Sequence, residues 1–164
     1  MIFIRKMQKK DIERVFEIEN LCFRSPWSKQ SLQGELKNNL AHYLVAEEDN
    51  GSVVAYGGMW ILFDEAHITN IAVHPDFRGK GYSKILMLHL MQEALLFDAS
   101  QMTLEVREHN QIAQNLYTSL SFSVQGRRKK YYSDTGEDAF LMWNRTIKQT
   151  VQENACIFSQ GILK

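Results

Sequence analysis

A glycine-containing turn between a predicted strand and a predicted helix is the sharpest chemical feature of this sequence. The turn reads Arg78-Gly79-Lys80-Gly81-Tyr82-Ser83-Lys84 and follows the apolar residues 71–73. Backbone N–H groups at the start of a helix attract anions, and glycines let an anion approach closely. Arg78, Lys80 and Lys84 add positive charge at the same place. The turn is typical either of a phosphate-binding site or of a tight strand-to-helix connection without a ligand.

The arrangement of the glycines argues against two common nucleotide-binding motifs. The turn lacks the Gly-Lys-Ser/Thr sequence that ends a P-loop, and it lacks the three spaced glycines of a dinucleotide-binding fold. Nucleotide hydrolysis and hydride transfer are therefore disfavoured as functions.

Cysteine, histidine and basic residues show no pattern of a metal or nucleic-acid site. Cys22 and Cys156 are too few for a disulfide scaffold or a zinc site, and the five histidines have no ligand spacing. Lys plus Arg and Asp plus Glu each total 19, so no overall charge attracts nucleic acid. The basic residues 127–130 are typical of a solvated strand face, although they also suggest contact with RNA or with an acidic surface. We expect no metal and no direct nucleic-acid partner.

Length and composition indicate one globular domain. The 164 residues are about the size of one domain, and 45% hydrophobic with 23% charged residues is ordinary for a soluble protein. No apolar run reaches the roughly 20 residues that a membrane span needs, and the first six residues do not resemble a signal peptide. We expect a cytoplasmic protein with no membrane partner, present as a monomer or weak dimer.

The elements that position the turn are predicted from the spacing of apolar residues, which alternates in strands and recurs every three or four residues in helices. Strands are predicted at residues 2–7, 42–48, 52–62, 66–73, 102–106, 122–132 and 138–145. Helices are predicted after Asp11, after the N-cap Ser28, over residues 85–96 and after the N-cap Asn110. This order predicts an α+β, or mixed α/β, domain over residues 1–146. Residues 147–164 have no clean period and are predicted only as an extension of unknown structure.

The turn and its surroundings resemble the Gcn5-related N-acetyltransferase (GNAT) family, whose acetyl-CoA loop reads Arg/Gln-x-x-Gly-x-Gly/Ala after a central strand. Residues 78–83 fit this pattern, with Ser83 at the final small position. The chain is most similar to the ribosomal-protein alanine N-acetyltransferases of the RimI type. The matching pieces, in family order, are Pro26-Trp27-Ser28, Asp64-Glu65-Ala66, Asn70-Ile71-Ala72-Val73, Leu104-Glu105-Val106-Arg107, Asn110, Leu116-Tyr117, Tyr131-Tyr132 and Glu137-Asp138-Ala139.

Two residues depart from the family pattern: Ser83 stands where the family has Gly or Ala, and Ser121 replaces the glycine of the family's Leu-Gly-Phe. That glycine would end the preceding helix in a left-handed conformation, so serine is expected to cost about 1 kcal/mol there. The resemblance implies a GNAT fold, in which a central, mostly antiparallel twisted sheet is flanked by helices. It also implies that acetyl-CoA lies in a cleft between central strands.

The resemblance assigns a role to each group of candidate site residues. The residues that it places around acetyl-CoA are Ile71, Ala72, Val73, Arg78, Gly79, Lys80, Gly81, Tyr82, Ser83, Lys84 and Asn110. It makes Glu105 the proton acceptor and Tyr117 the proton donor, and the backbone N–H of Val73 polarises the thioester carbonyl. Without the resemblance, Glu105 would be interpreted as a sheet-surface or an ion-paired residue, and Tyr117 as a core tyrosine with a solvated hydroxyl group.

The acceptor side of the site is also implied by the resemblance. Tyr131 and Tyr132 would hold the first residues of the acceptor, with Pro26 and Trp27 on the opposite wall. Because side chains alternate along a strand, only one of the two tyrosines can point into the groove. Both tyrosines would otherwise simply cover the edge of the core.

The expected reaction is transfer of acetyl from acetyl-CoA to the N-terminal α-amino group of a protein, for example a ribosomal protein that begins with Ala. An α-amino group has a pKa of about 8 and is partly neutral at pH 7, whereas lysine, at about 10.4, is not. A weak base such as Glu105 therefore suits an N-terminus. Two alternatives remain: an acetyltransferase for a small amine or lysine, and a non-catalytic module that binds acyl-CoA or RNA.

Overall fold

The computed structural model describes the backbone of residues 1–163 and the side chains of residues 1–158. The strands are β1 Ile2–Lys6, β2 Ala41–Glu48, β3 Val53–Leu62, β4 Glu65–Val73, β5 Gln101–Arg107, β6 Ser123–Tyr132, β7 Glu137–Asn144 and β8 Gly161–Leu163. The helices are α1 Ile12–Cys22, α2 Lys29–Glu35, α3 Tyr82–Leu96, α4 Gln111–Ser119 and α5 Ile147–Glu153. Short 3₁₀ helices cover Lys9–Asp11, Pro75–Phe77 and Ala155–Gln160.

The strands of the described chain form one sheet in the order β6-β7-β5-β4-β3-β2-β1-β8. Neighbouring strands are antiparallel except for the β4–β5 and β1–β8 pairs, which are parallel. The predicted α+β class and the mostly antiparallel central sheet flanked by helices are therefore confirmed. The Asp49-Asn50-Gly51 turn joins β2 to β3, and Gly51 has the positive φ of 83° that such a turn favours.

The two central strands β4 and β5 pair along only part of their length. They are paired from Glu65 opposite Gln101 to His67 opposite Thr103, and beyond these residues no pairing continues. On the other side of β4 the register to β3 slips by one residue at Thr69, which is a β-bulge. The remaining halves of β4 and β5 consequently border a cleft in the middle of the sheet.

Apolar side chains pack on both faces of the sheet. Helix α3 lies on one face, and residues such as Leu86, Leu88 and Leu90 are fully buried there. Helices α1 and α2 cover the other face through Val15, Ile18 and other apolar residues. Burying a side chain of this size stabilises the fold by about 1.5–3 kcal/mol.

Helix α3 is buried on more sides than an amphipathic surface helix. Residues 85–91 are all buried, while Leu96 at the helix end is 78% exposed. The reason is that α3 contacts α5 as well as strands β2, β3 and β4. A helix that is covered by a sheet and by another helix has no solvent-facing stripe in its middle.

The segment after residue 146, for which the sequence predicted no structure, forms α5, a 3₁₀ helix and the edge strand β8. Ile147 is fully buried, and Asn144 donates a hydrogen bond of 2.8 Å to Thr150 Oγ1. Strand β8 pairs in parallel with β1. The division of the chain at residue 146 stays a prediction.

Ser121 adopts the left-handed conformation that the sequence predicted, with a φ of 64° after the end of α4. We expect Ser121→Gly to raise the free energy of unfolding by about 1 kcal/mol, because glycine adopts this conformation without a steric penalty. Urea denaturation measures the change. Ser119→Gly, at the last residue of α4, is the matched control and should lower stability, because this residue is helical and its hydroxyl donates to the Leu116 carbonyl oxygen. A destabilised Ser121→Gly protein would contradict the prediction.

Candidate active site

A cleft with a volume of about 790 Å³ opens where β4 and β5 separate. One wall is formed by residues 68–73 of β4 and the other by residues 104–107 of β5, while the glycine turn, the start of α3 and helix α4 close the sides. The predicted site residues that line this cleft are Trp27, Ile71, Ala72, Val73, Arg78, Gly79, Gly81, Tyr82, Ser83, Glu105, Asn110, Tyr117 and Tyr132. The predicted residues Pro26, Lys80, Lys84 and Tyr131 do not line it.

The glycine turn has the backbone conformation of an anion-binding loop. Gly79 and Gly81 both have a φ of 78°, and a Cβ atom added at either position would meet no atom within 4 Å. Within the described part of the chain, the N–H groups of residues 79–83 donate to no protein acceptor. Open space beside unpaired N–H groups at the start of a 15-residue helix fits the phosphates of a nucleotide-containing ligand.

Two of the basic residues of the turn, Arg78 and Lys80, are placed differently from each other. Arg78 lies at the cleft, and its Nε donates a hydrogen bond of 3.3 Å to the Val73 carbonyl oxygen. Lys80 turns away, with its Nζ 3.7 Å from Glu48 Oε1 and 4.9 Å from the centre of the Phe77 ring. The charge of Lys80 is therefore partly balanced by Glu48 and does not point into the cleft.

Glu105 projects from β5 with only 8% of its side chain exposed. Its Oε2 atom lies 2.6 Å from His67 Nε2, and its Oε1 accepts a hydrogen bond of 3.2 Å from Arg128 Nε. Burial alone would raise the pKa of Glu105, but the hydrogen bond and charge of His67, followed by those of Arg128, outweigh burial and lower it. The carboxyl group is therefore ionised at neutral pH, as a proton acceptor must be.

Tyr117 lies in α4 and is 6% exposed, with its ring centre 5.8 Å from that of Phe122. Burial raises the pKa of its hydroxyl group, with a smaller contribution from Tyr132. The hydroxyl therefore keeps its proton throughout the neutral range and can donate it. Asn110, just before α4, caps the helix by accepting a hydrogen bond of 3.1 Å from the Ala113 N–H.

Another part of the cleft wall is built by the α1–α2 loop and the residues that flank the β6–β7 turn. Tyr132 lines the cleft, whereas Tyr131 is 48% exposed outside it, as expected when only one of two neighbours can point inward. The Arg107 guanidinium lies 3.9 Å from the centre of the Tyr132 ring and pairs with Asp134 at 2.7 Å. Ser25 in the α1–α2 loop donates to the same Asp134 at 3.4 Å, so the two segments meet over the cleft.

Sequence reasoning missed three residues that support this site. Glu19 is 1% exposed and accepts a hydrogen bond of 3.0 Å from the Trp27 N–H, which holds the α1–α2 loop. It could have been found, because it lies four residues after Val15 on the apolar stripe of α1. His67 and Arg128, the partners of Glu105, gave no local signal, since their contacts depend on strand register.

Two features are absent from the described residues. No group of three or more His, Cys, Asp or Glu side chains in this part of the chain is arranged to hold a metal ion. Among the helices of residues 1–163, none has both the length and the apolar character that crossing a membrane would require.

Residues 12–122 match the model of the acetyltransferase (GNAT) family. A Bacillus subtilis (strain 168) protein, provisionally named a ribosomal protein bS18-alanine N-acetyltransferase, is 45% identical over 141 residues, which cover 85% of this chain and 93% of the relative. The ribosomal protein bS18-alanine N-acetyltransferase of Haemophilus ducreyi is 39% identical, over 85% of this chain and 97% of the relative.

Comparison with solved structures gives the same result. The crystal structure of the ribosomal-protein-S18-alanine N-acetyltransferase from Escherichia coli superposes with a TM-score of 0.80 and 29% sequence identity. The superposition covers 87% of this chain and 92% of the E. coli chain. Because the family model spans well over half of the sequence and the closely matching relatives cover most of it, this chain belongs to the GNAT family of acetyltransferases.

Proposed function

We propose that this enzyme transfers the acetyl group of acetyl-CoA to the N-terminal α-amino group of a ribosomal protein that begins with a small residue such as Ala. The observation that carries the proposal is that one cleft brings together the anion-binding turn, the ionised Glu105 and the protonated Tyr117. The names of the relatives point to the same acceptor class, an alanine at the start of a ribosomal protein.

The turn would hold the pyrophosphate of acetyl-CoA. The N-terminal end of α3 and the N–H groups of residues 79–83 offer positive partial charge, and the glycines leave space for the phosphate oxygens. When bound, acetyl-CoA supplies an activated thioester. The remaining predicted residues on its side of the cleft, Ile71, Ala72, Val73 and Asn110, would form the walls.

Each residue near the reacting atoms then has one role in the transfer. Glu105 accepts the proton that the acceptor amine must lose, directly or through a water molecule. The Val73 backbone N–H, at the end of β4, donates to the carbonyl oxygen on which negative charge develops. Tyr117 donates its hydroxyl proton to the departing sulfur. Cys22 lies in the cleft, but a direct transfer needs no covalent acyl-enzyme.

The state of Glu105 favours an α-amine over a lysine side chain as the acceptor. A carboxylate with a lowered pKa is a weak base, so it suits an amine that loses its proton easily. An α-amino group, with a pKa of about 8, meets this condition better than lysine at about 10.4.

Gly81→Val is expected to weaken acetyl-CoA binding by at least ~10-fold, because a branched side chain would occupy the space left for phosphate oxygens. Isothermal titration calorimetry measures the affinity. Gly51→Val is the matched control, since Gly51 has a similar φ of 83° in a hairpin turn that is not part of the cleft. Equal acetyl-CoA affinities for a folded Gly81→Val protein and the Gly51→Val control would show that the turn does not bind acetyl-CoA.

Release of free CoA thiol from acetyl-CoA tests the reaction itself. Peptides that begin with Ala should support thiol release, and the same peptides with a blocked N-terminus should not. If a small polyamine supports thiol release better than any peptide, the acceptor is a small amine and not a protein. Tight acetyl-CoA binding with no release for any amine would indicate a non-catalytic module.

A further inference from the structure

His67 occupies the point at which the central sheet divides. It is the last residue of β4 that is paired with β5, opposite Thr103, and the cleft begins beyond it. From this position its Nε2 atom reaches Glu105 Oε2 at 2.6 Å, the shorter of the two side-chain contacts made by this carboxyl group. His67 itself does not line the cleft, whereas Glu105 does.

We propose that His67 is a positioning residue for the acetyl transfer: its Nε2–H fixes the orientation of the Glu105 carboxylate and keeps this carboxylate ready to accept a proton from the acceptor amine. The inference rests on the proposed role of Glu105 as the base. It adds a residue on a different strand, which acts through Glu105 and does not touch the substrate.

The geometry explains how His67 can hold the Glu105 carboxylate and still leave it able to accept a proton. Donors from two strands grip the carboxylate, His67 of β4 at Oε2 and Arg128 of β6 at Oε1. Each carboxylate oxygen has two lone pairs, so one remains at each oxygen for a proton from the cleft. The two contacts leave the side chain little freedom to rotate, and a base must be held in hydrogen-bonding reach of the proton it removes.

The two partners are not equivalent. The contact with His67 is 0.6 Å shorter than the 3.2 Å contact with Arg128, while the two partner side chains are similarly exposed, at 40% and 50%. The charge-assisted hydrogen bond from His67 is therefore the stronger restraint on Glu105.

The other titratable groups that face Glu105 are Tyr131 and Tyr132 on β6. Burial raises the pKa of both hydroxyl groups, that of Tyr132 to about 12, so both stay neutral between pH 5 and 9. A change in the pH dependence of the reaction after substitution of His67 can therefore be assigned to the His67–Glu105 pair.

The test compares kcat from pH 5.5 to 9 for His67→Ala and His67→Gln. Without the His67 contact, less of the effect of burial is offset and the pKa of Glu105 rises, so kcat of His67→Ala should fall most at low pH, by ~10-fold at pH 6. The deficit should shrink toward pH 9, and KM for acetyl-CoA should not change. His67→Gln keeps an N–H donor and should recover most of the activity.

The matched control is His42→Ala. His42 also pairs with a partly buried carboxylate, Glu93 Oε1 at 3.3 Å, but neither residue lines the cleft. Its substitution should leave the shape of the pH profile unchanged. A second measurement does not depend on enzyme activity. Carboxyl ¹³C NMR should show that the titration midpoint of Glu105 moves to higher pH in His67→Ala.

Failure of this inference can be told apart from failure of the proposed function. If His67→Ala keeps the wild-type pH profile and Glu105 midpoint while Glu105→Gln is inactive, His67 is not a positioning residue and Glu105 is still the base. If Glu105→Gln is as active as the wild type, the base has been assigned wrongly and the inference falls with it.

Discussion

Replacing Glu105 with Gln is expected to lower kcat by about a hundredfold or more at pH 7, within the usual range for loss of a general base. The amide has nearly the same shape as the carboxylate, but it cannot accept the proton of the acceptor amine. The measurement is kcat and KM from pH 6 to 9 with an Ala-initiated peptide, and acetyl-CoA affinity is measured separately.

Higher pH should partly rescue the Glu105→Gln enzyme. The α-amino group of the acceptor has a pKa of about 8, so at pH 9 most acceptor molecules have already lost the proton that Glu105 would remove. In the wild type, the lowered pKa keeps Glu105 ionised over this whole range, so the base itself adds no pH dependence between 6 and 9. Near-wild-type kcat of Glu105→Gln across the range would show that Glu105 is only structural.

Tyr117→Phe is expected to lower kcat by about a hundredfold as well, but with no rescue at high pH. The substitution removes the proton donor to the departing sulfur, and no change in solvent pH restores that donor inside the cleft. Because the raised pKa keeps the Tyr117 hydroxyl protonated through pH 9, proton donation by Tyr117 in the wild-type enzyme should not decline as the pH rises.

Protein stability provides the control for Tyr117→Phe. The ring packs against Phe122, and the hydroxyl group makes no hydrogen bond that phenylalanine would break among the described side chains. The urea midpoint should therefore change little. A well-folded Tyr117→Phe protein with full turnover would assign proton donation to another group, such as an ordered water molecule.

Local sequence patterns were enough to predict the elements and the turn that build the cleft. The alternation in β4, the Ser28 and Asn110 caps and the glycines at positive φ each depend on a few adjacent residues. The left-handed conformation of Ser121 was predicted from the family pattern, in which a glycine stands at this position. Features of this kind follow from backbone geometry within one or two turns of chain.

Features that depend on tertiary contacts were not predicted. His67 and Glu105 are 38 positions apart and meet only through the parallel register of β4 and β5. The direction of Lys80 depends on Glu48 at the end of β2, which no local pattern connects to the turn. The short helix α5 became stable by packing on α3, and its own seven residues have no clean apolar stripe.

The most direct test of the proposed reaction is to locate the acetyl group on the product. The purified enzyme is incubated with acetyl-CoA and a peptide that begins with Ala and contains an internal lysine, and the product is sequenced by tandem mass spectrometry. We predict that acetylation occurs on the α-amino group of the first residue and that an N-terminally blocked copy of the peptide stays unmodified. Acetyl groups on the lysine side chain, with the free N-terminus untouched, would contradict the proposal.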